Sequence, residues 1–130
     1  MYEPIRTKSV HTAAAPRLPR RSRDEELDLQ LAGHLAALLT VTDELRGPVP
    51  CPELDRAAEQ LADVVTRLYH GRRPLRLPAG PRAGDPDRRA ALHRRAHALA
   101  GRALVVAESR QDTEAAALAE RRLAAHAGTV

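Results

Sequence analysis

Apolar residues recur three and four positions apart through most of this chain, and that period leaves few folds open. Leu27, Leu31, His34, Leu35, Leu38, Thr42 and Leu45 share one face of a helix. Leu54, Ala57, Ala58, Leu61, Val64, Val65 and Leu68 form a second stripe. Leu92, Ala96, Leu99, Ala103 and Val106 form a third, and Ala115, Leu118, Ala119 and Leu123 a shorter fourth. The side chains suit slim helices: there is no Phe and no Trp, and the two tyrosines are Tyr2 and Tyr69. That shortage argues against β-sandwiches, whose strands favour aromatic and β-branched residues. It also counts against single-strand nucleic-acid modules, which stack bases on aromatic rings.

Start and stop signals bound the stripes. Ser22-Arg23-Asp24-Glu25 matches a capping box, and Asp24, Glu25, Glu26 and Asp28 place negative charge at the positive end of the helix dipole. Gly47-Pro48 stops the first helix, and Pro52 suits the first turn of the second. His70-Gly71 ends it. Asp85-Pro86-Asp87 opens the third, and Asp112-Thr113-Glu114 offers a cap for the fourth. The spacing predicts helices over 23–46, 53–70, 86–109 and 113–127, joined between the second and third by an irregular Arg/Pro/Gly loop over 71–84. The expected fold is all-α: a small antiparallel, up-and-down bundle of four helices across 22–127, preceded by a disordered basic tail over 1–21. Three helices with a bent last helix is the rival, since neither Gly nor Pro forces a break near residue 111.

The formal net charge of +4 divides unevenly. Residues 1–23 hold six basic groups and one acid, whereas the rest is nearly neutral, with an acidic stretch over 24–46. Twenty of the 21 basic residues are arginine. Arg20 and Arg21 in the tail and Arg72, Arg73 and Arg76 in the loop are candidate phosphate contacts, which would be salt-dependent and indifferent to sequence. A solvated surface paired with the acidic first helix is the favoured account of the arginines, because GC-rich codons also raise Arg over Lys.

Candidate chemistry is sparse. His93 and His97 lie four apart on one helix face, but no glutamate follows His93, so the HExxH metalloprotease pattern is missing. Neither a metal nor another cofactor is expected, and the two histidines read as surface groups beside arginines. His34 falls within an apolar arc, as a buried neutral imidazole would. Cys51 is the single cysteine, so it forms no internal disulfide. Phosphate-binding glycine loops and nucleophile elbows are missing, and catalysis is not expected. Without an apolar run of membrane-spanning length, the expected location is cytoplasmic.

A second apolar surface is legible on two helices. Leu29, Ala32, Ala36 and Leu39 lie roughly opposite the main stripe of the first helix, and Leu104 and Val105 add to the third. Such helices are either central in the bundle or covered by a partner, a second copy included.

The opening Met1-Tyr2-Glu3-Pro4-Ile5-Arg6-Thr7-Lys8-Ser9-Val10-His11, the run Leu31-Ala32-Gly33-His34-Leu35-Ala36-Ala37-Leu38-Leu39 and the run Ala98-Leu99-Ala100-Gly101-Arg102-Ala103-Leu104-Val105-Val106-Ala107 resemble small helical streptomycete proteins. The resemblance implies an actinobacterial setting and GC-rich codons, and it implies no activity. The functional expectation is a non-enzymatic helical protein-interaction or regulatory protein. Its alternative is a nucleic-acid-associated protein using the basic tail and the Arg-rich loop.

Overall fold

A computed structural model of the protein describes residues 22–47, 50–78 and 85–128. The described residues form four helices and no strand: α1 (Arg23–Leu45), α2 (Pro52–Leu68), α3 (Pro86–Arg110) and α4 (Thr113–Ala127). The tail over 1–21, with Arg20 and Arg21, lies outside the described residues, as does the loop over 79–84.

Local chemistry sets the helix ends. The Ser22 hydroxyl accepts the Glu25 amide at 3.0 Å while the Glu25 carboxylate accepts the Ser22 amide at 2.8 Å, which completes the capping box. At the far end of α1 the Leu45 carbonyl accepts the Gly47 amide at 2.7 Å and Arg89 Nη1 from α3 at 3.1 Å. After α2 the Gly71 amide reaches back to the Thr66 carbonyl at 2.8 Å, with Gly71 at φ +95° where a side chain would be strained. The break between α3 and α4 is real: Gln111 turns left-handed at φ +61°, and the Asp112 carboxylate then accepts the Ala115 amide at 3.1 Å.

α1 packs on α2 and α3, and α4 packs on α3 and, over a short stretch, on α2. Ion pairs fix the directions. Arg110 at the end of α3 meets Asp28 near the start of α1, so those helices are antiparallel. Arg67 at the end of α2 meets Asp112 at the start of α4, so those two are antiparallel as well. Every packed pair thus runs antiparallel, but α2 and α3 point the same way across the diagonal. The chain order is up, down, down, up rather than strict alternation.

That order requires a return along the bundle. From Arg72 to Pro78 the chain is neither helix nor strand, and Arg76 reaches Asp43 near the opposite end of α1. Seven residues reach at most about 23 Å at roughly 3.3 Å each, close to the roughly 25 Å rise of α2. The connection is a strap, not a turn.

The core is leucine on one side and alanine on the other. Leu31, Leu35, Leu38 and Leu39 of α1 have no exposed surface, and neither do Ala96, Ala100, Ala103 and Ala107 of α3. Small residues at that spacing let α3 approach its neighbours closely. Because α1 has neighbours on two flanks, its buried arc is wide. Ala32 and Leu39 are therefore interior, not part of a partner face. Ala36 and Leu104 are half-buried against the core, and only Leu29 and Val105 of that expected surface are exposed. No helix among the described residues is long and apolar enough to cross a membrane.

Candidate functional site

Among the described residues two buried polar assemblies interrupt the apolar interior. The first lies where the strap meets α1. Asp43 has no exposed surface, and all of its acceptor capacity is used. Oδ1 accepts from Arg76 Nη2 at 2.8 Å and Arg46 Nη1 at 3.0 Å; Oδ2 accepts from Arg76 Nε at 2.9 Å and the Leu77 amide at 3.1 Å. Burial by itself would raise this carboxyl. The hydrogen bonds from Arg76, Leu77 and Arg46, with the charge of Arg76, outweigh it and hold Asp43 below its ordinary value. Arg46 also donates to Asp55 at 2.8 Å, which ties the assembly to α2.

What the latch holds is exposed. Leu75 is 94% exposed, and Arg72 and Arg73 beside it face solvent. Arg72 stacks over the Tyr69 ring with its guanidinium 5.3 Å from the centroid. Arg76, expected as a phosphate contact, turns the Nε/Nη2 edge of its guanidinium to Asp43, a bidentate pairing that suits a fully buried carboxylate.

The second assembly crosses α2, α3 and α4 at the end where α2 begins. Arg122 of α4 is 3% exposed; its Nη1 pairs with Glu53 of α2 and its Nη2 lies 3.2 Å from His126 Nε2. His126 Nδ1 lies 2.9 Å from Nδ1 of His93 on α3. A guanidinium only donates, so His126 Nε2 accepts, its proton sits on Nδ1, and His93 Nδ1 accepts in turn. Burial first, then the charge of Arg122, push His126 down to about 4. Burial also lowers His93, followed by the charges of Arg89 and Arg122. Both imidazoles are thus neutral at physiological pH. His93 is not the surface group expected from sequence, because its ring packs 5.0 Å from that of His126. Among the described residues no group of three metal-ligating side chains is gathered.

The remaining candidates are placed plainly. His34 is half-buried, and burial followed by the charge of Arg102 lowers it. Cys51 is half-buried and makes no capping bond. Arg88 pairs with Glu44, and Arg110 Nε with Asp28 at 3.0 Å, so part of the arginine surplus neutralises α1.

Asp43, Glu53, Arg122 and His126 were not singled out by sequence reasoning. A signal existed for the last two: Ala115, Ala119, Arg122 and His126 follow spacings of four, three and four, so two polar residues occupy seam positions. No family model matches the chain, and no curated protein or solved structure is significantly similar to it.

Proposed function

We propose that the protein is a non-enzymatic interaction protein whose bundle is a mount for the strap over 72–78. The observation that carries this reading is the pairing of Asp43, wholly buried, with a segment whose Leu75 is 94% exposed. A buried carboxylate is costly to desolvate, and three of its four hydrogen bonds here go to the strap. Leaving a leucine in water forgoes about 2 kcal/mol that a partner's apolar pocket would recover. Arg72 and Arg73 add a basic approach, so the partner surface is an apolar pocket rimmed by carboxylates. Leu29 and Val105 lie on α1 and α3, away from any such latch.

The test compares capture by the wild type, Leu75→Glu and the double variant Leu29→Glu/Val105→Glu. A stoichiometric partner retained by the wild type and the double variant, but lost with Leu75→Glu, supports the reading. Recovery of the same protein on Leu75→Glu refutes it. Thermal melts accompany each arm, because an exposed substitution leaves stability within about 0.5 kcal/mol. If the strap instead serves nucleic acid, duplex DNA binds with an affinity that falls steeply across a salt series and is indifferent to Leu75.

A further inference from the structure

The α2–α4 side of the bundle is the one that leucine and alanine do not close. Where α2 begins and α4 ends, the two helices leave a cleft of about 310 Å³ lined by Glu53, Arg56, Ala57, Gln60, Arg121 and Arg122. Among the described residues three guanidinium groups stand there against one carboxylate, an excess of two positive charges. Arg122 forms the inner wall. It is 3% exposed, and its Nε is buried with no hydrogen-bond partner among the described residues. Such an orphaned donor is uncommon in a folded interior. Its anionic partner among the described residues is Glu53, whose side chain is 56% exposed at the rim and therefore free to swing outward. On the inner side Arg122 meets the Nε2 lone pair of His126, which brings no negative charge.

The geometry points to an anion site in this cleft for a phosphate dianion, free or carried by a small phosphomonoester, with Glu53 as the internal counter-ion that the ligand displaces. The charge matches, since a dianion neutralises the excess of two. The donors match as well: guanidinium forks present paired N–H groups to phosphate oxygens. Arg122 supplies the buried anchor, Arg56 and Arg121 close from the two rims, and the Gln60 amide adds a neutral donor. The site lies on the α4 side of α2, whereas the strap latch joins α2 through Asp55 on the α1 side. It does not depend on the interaction reading, and either can fail alone.

The full chain is titrated at constant ionic strength with inorganic phosphate and, separately, with glycerol 3-phosphate. Heat of binding and the Arg122 Nε–H cross-peak are followed together. Saturable one-site binding with movement of that cross-peak is expected. Binding of the ester alone identifies a phosphomonoester as the ligand, and binding of inorganic phosphate alone identifies the free ion. Arg121→Ala weakens binding about tenfold, the value of one charge-assisted hydrogen bond. Glu53→Gln tightens it about tenfold, because the competing carboxylate is gone while an acceptor for Arg122 remains. Arg94→Ala/Arg95→Ala, on the exposed face of α3, leaves it unchanged. The proposal is overturned if neither ligand saturates the wild type and Glu53→Gln, or if Arg121→Ala binds as tightly as the wild type. It is also overturned if the Arg94/Arg95 double variant loses as much affinity as Arg121→Ala.

Discussion

Lowering the pH from 7.5 to 5 should cost this bundle about 2 kcal/mol through His126 alone. The imidazole has 1% of its surface exposed and is pushed from its ordinary 6.5 to about 4. Its surroundings explain the shift. Besides burial, Arg122 sits on Nε2 and His93 adds to the resistance against a proton; Glu53 opposes them from beyond Arg122, and His97 adds the least. Below pH 6.5 the unfolded chain takes up a proton that the folded chain refuses, so folding stability falls as pH falls. The loss begins near 6.5, grows to roughly 3 kcal/mol near pH 4, and then levels off. Asp43 does not confuse the measurement. Its carboxyl is held below 3.8, so the stability it contributes is lost only as pH drops beneath that value.

Urea unfolding at pH 7.5, 6.0 and 5.0 reads the loss directly, and His126→Gln isolates its source. Glutamine does not titrate and still offers an acceptor to Arg122. The variant is less stable at pH 7.5 but flatter with pH, retaining only the smaller slopes from His34 and His93, which are also lowered. A wild type that changes by less than about 0.5 kcal/mol over this range would refute the assignment. So would a His126→Gln protein with the wild-type slope. Either result means that the imidazole is hydrated or charged in the folded protein, and the tautomer chain to His93 falls with it.

Asp43→Asn should destabilise by about 2–4 kcal/mol, since it turns a fully paired buried acceptor into a group whose amide faces guanidinium donors. The same variant should become susceptible to trypsin at Arg76, which the wild type protects; equal cleavage rates would contradict the latch. Leu35→Ala should cost about 3 kcal/mol by leaving a cavity, whereas Leu75→Ala should change stability by less than about 0.5 kcal/mol. Both are read as urea midpoints. Gln111→Gly should stabilise by about 0.5–1 kcal/mol, because φ of +61° strains any residue with a Cβ. A thermal melt shows it as a rise, and a fall would mean that the corner tolerates glutamine without strain.

The parts of this fold legible in the sequence are those that depend on local period and on capping. Leu54 through Leu68 read as a stripe because α2 buries one narrow face, and all seven of its named residues are buried. Ser22 and Asp112 read as caps because capping uses neighbours within three residues. The direction of α3 was not legible, since a loop of 14 residues permits either a tight return or a climb along the bundle. Nor was the burial of Ala32 and Leu39: a helical wheel shows an apolar second flank but not whether the chain itself covers it. Asp43 was hidden in the acidic stretch of α1, whose other carboxylates are exposed or half-buried. Its burial follows from Arg76, 33 residues away, and local spacing carries no trace of that.

The latch also bears on why the helices close in this order. Alanine and leucine seams discriminate poorly among arrangements of similar helices, because each stripe packs acceptably on any other. Strict alternation would keep the α2–α3 connection at the end of α2, about 25 Å from Asp43. Asp43 would then keep Arg46 but lose both bonds from Arg76 and the one from the Leu77 amide. Stranding a buried charge in that way costs about 3–5 kcal/mol, a large share of the roughly 5–15 kcal/mol that holds a domain of this size together. The climb along the bundle avoids that loss, and it also leaves Leu75 in solvent. The choice of topology and the display of the strap are therefore one event. A substitution that frees Arg76 from Asp43 should relax both.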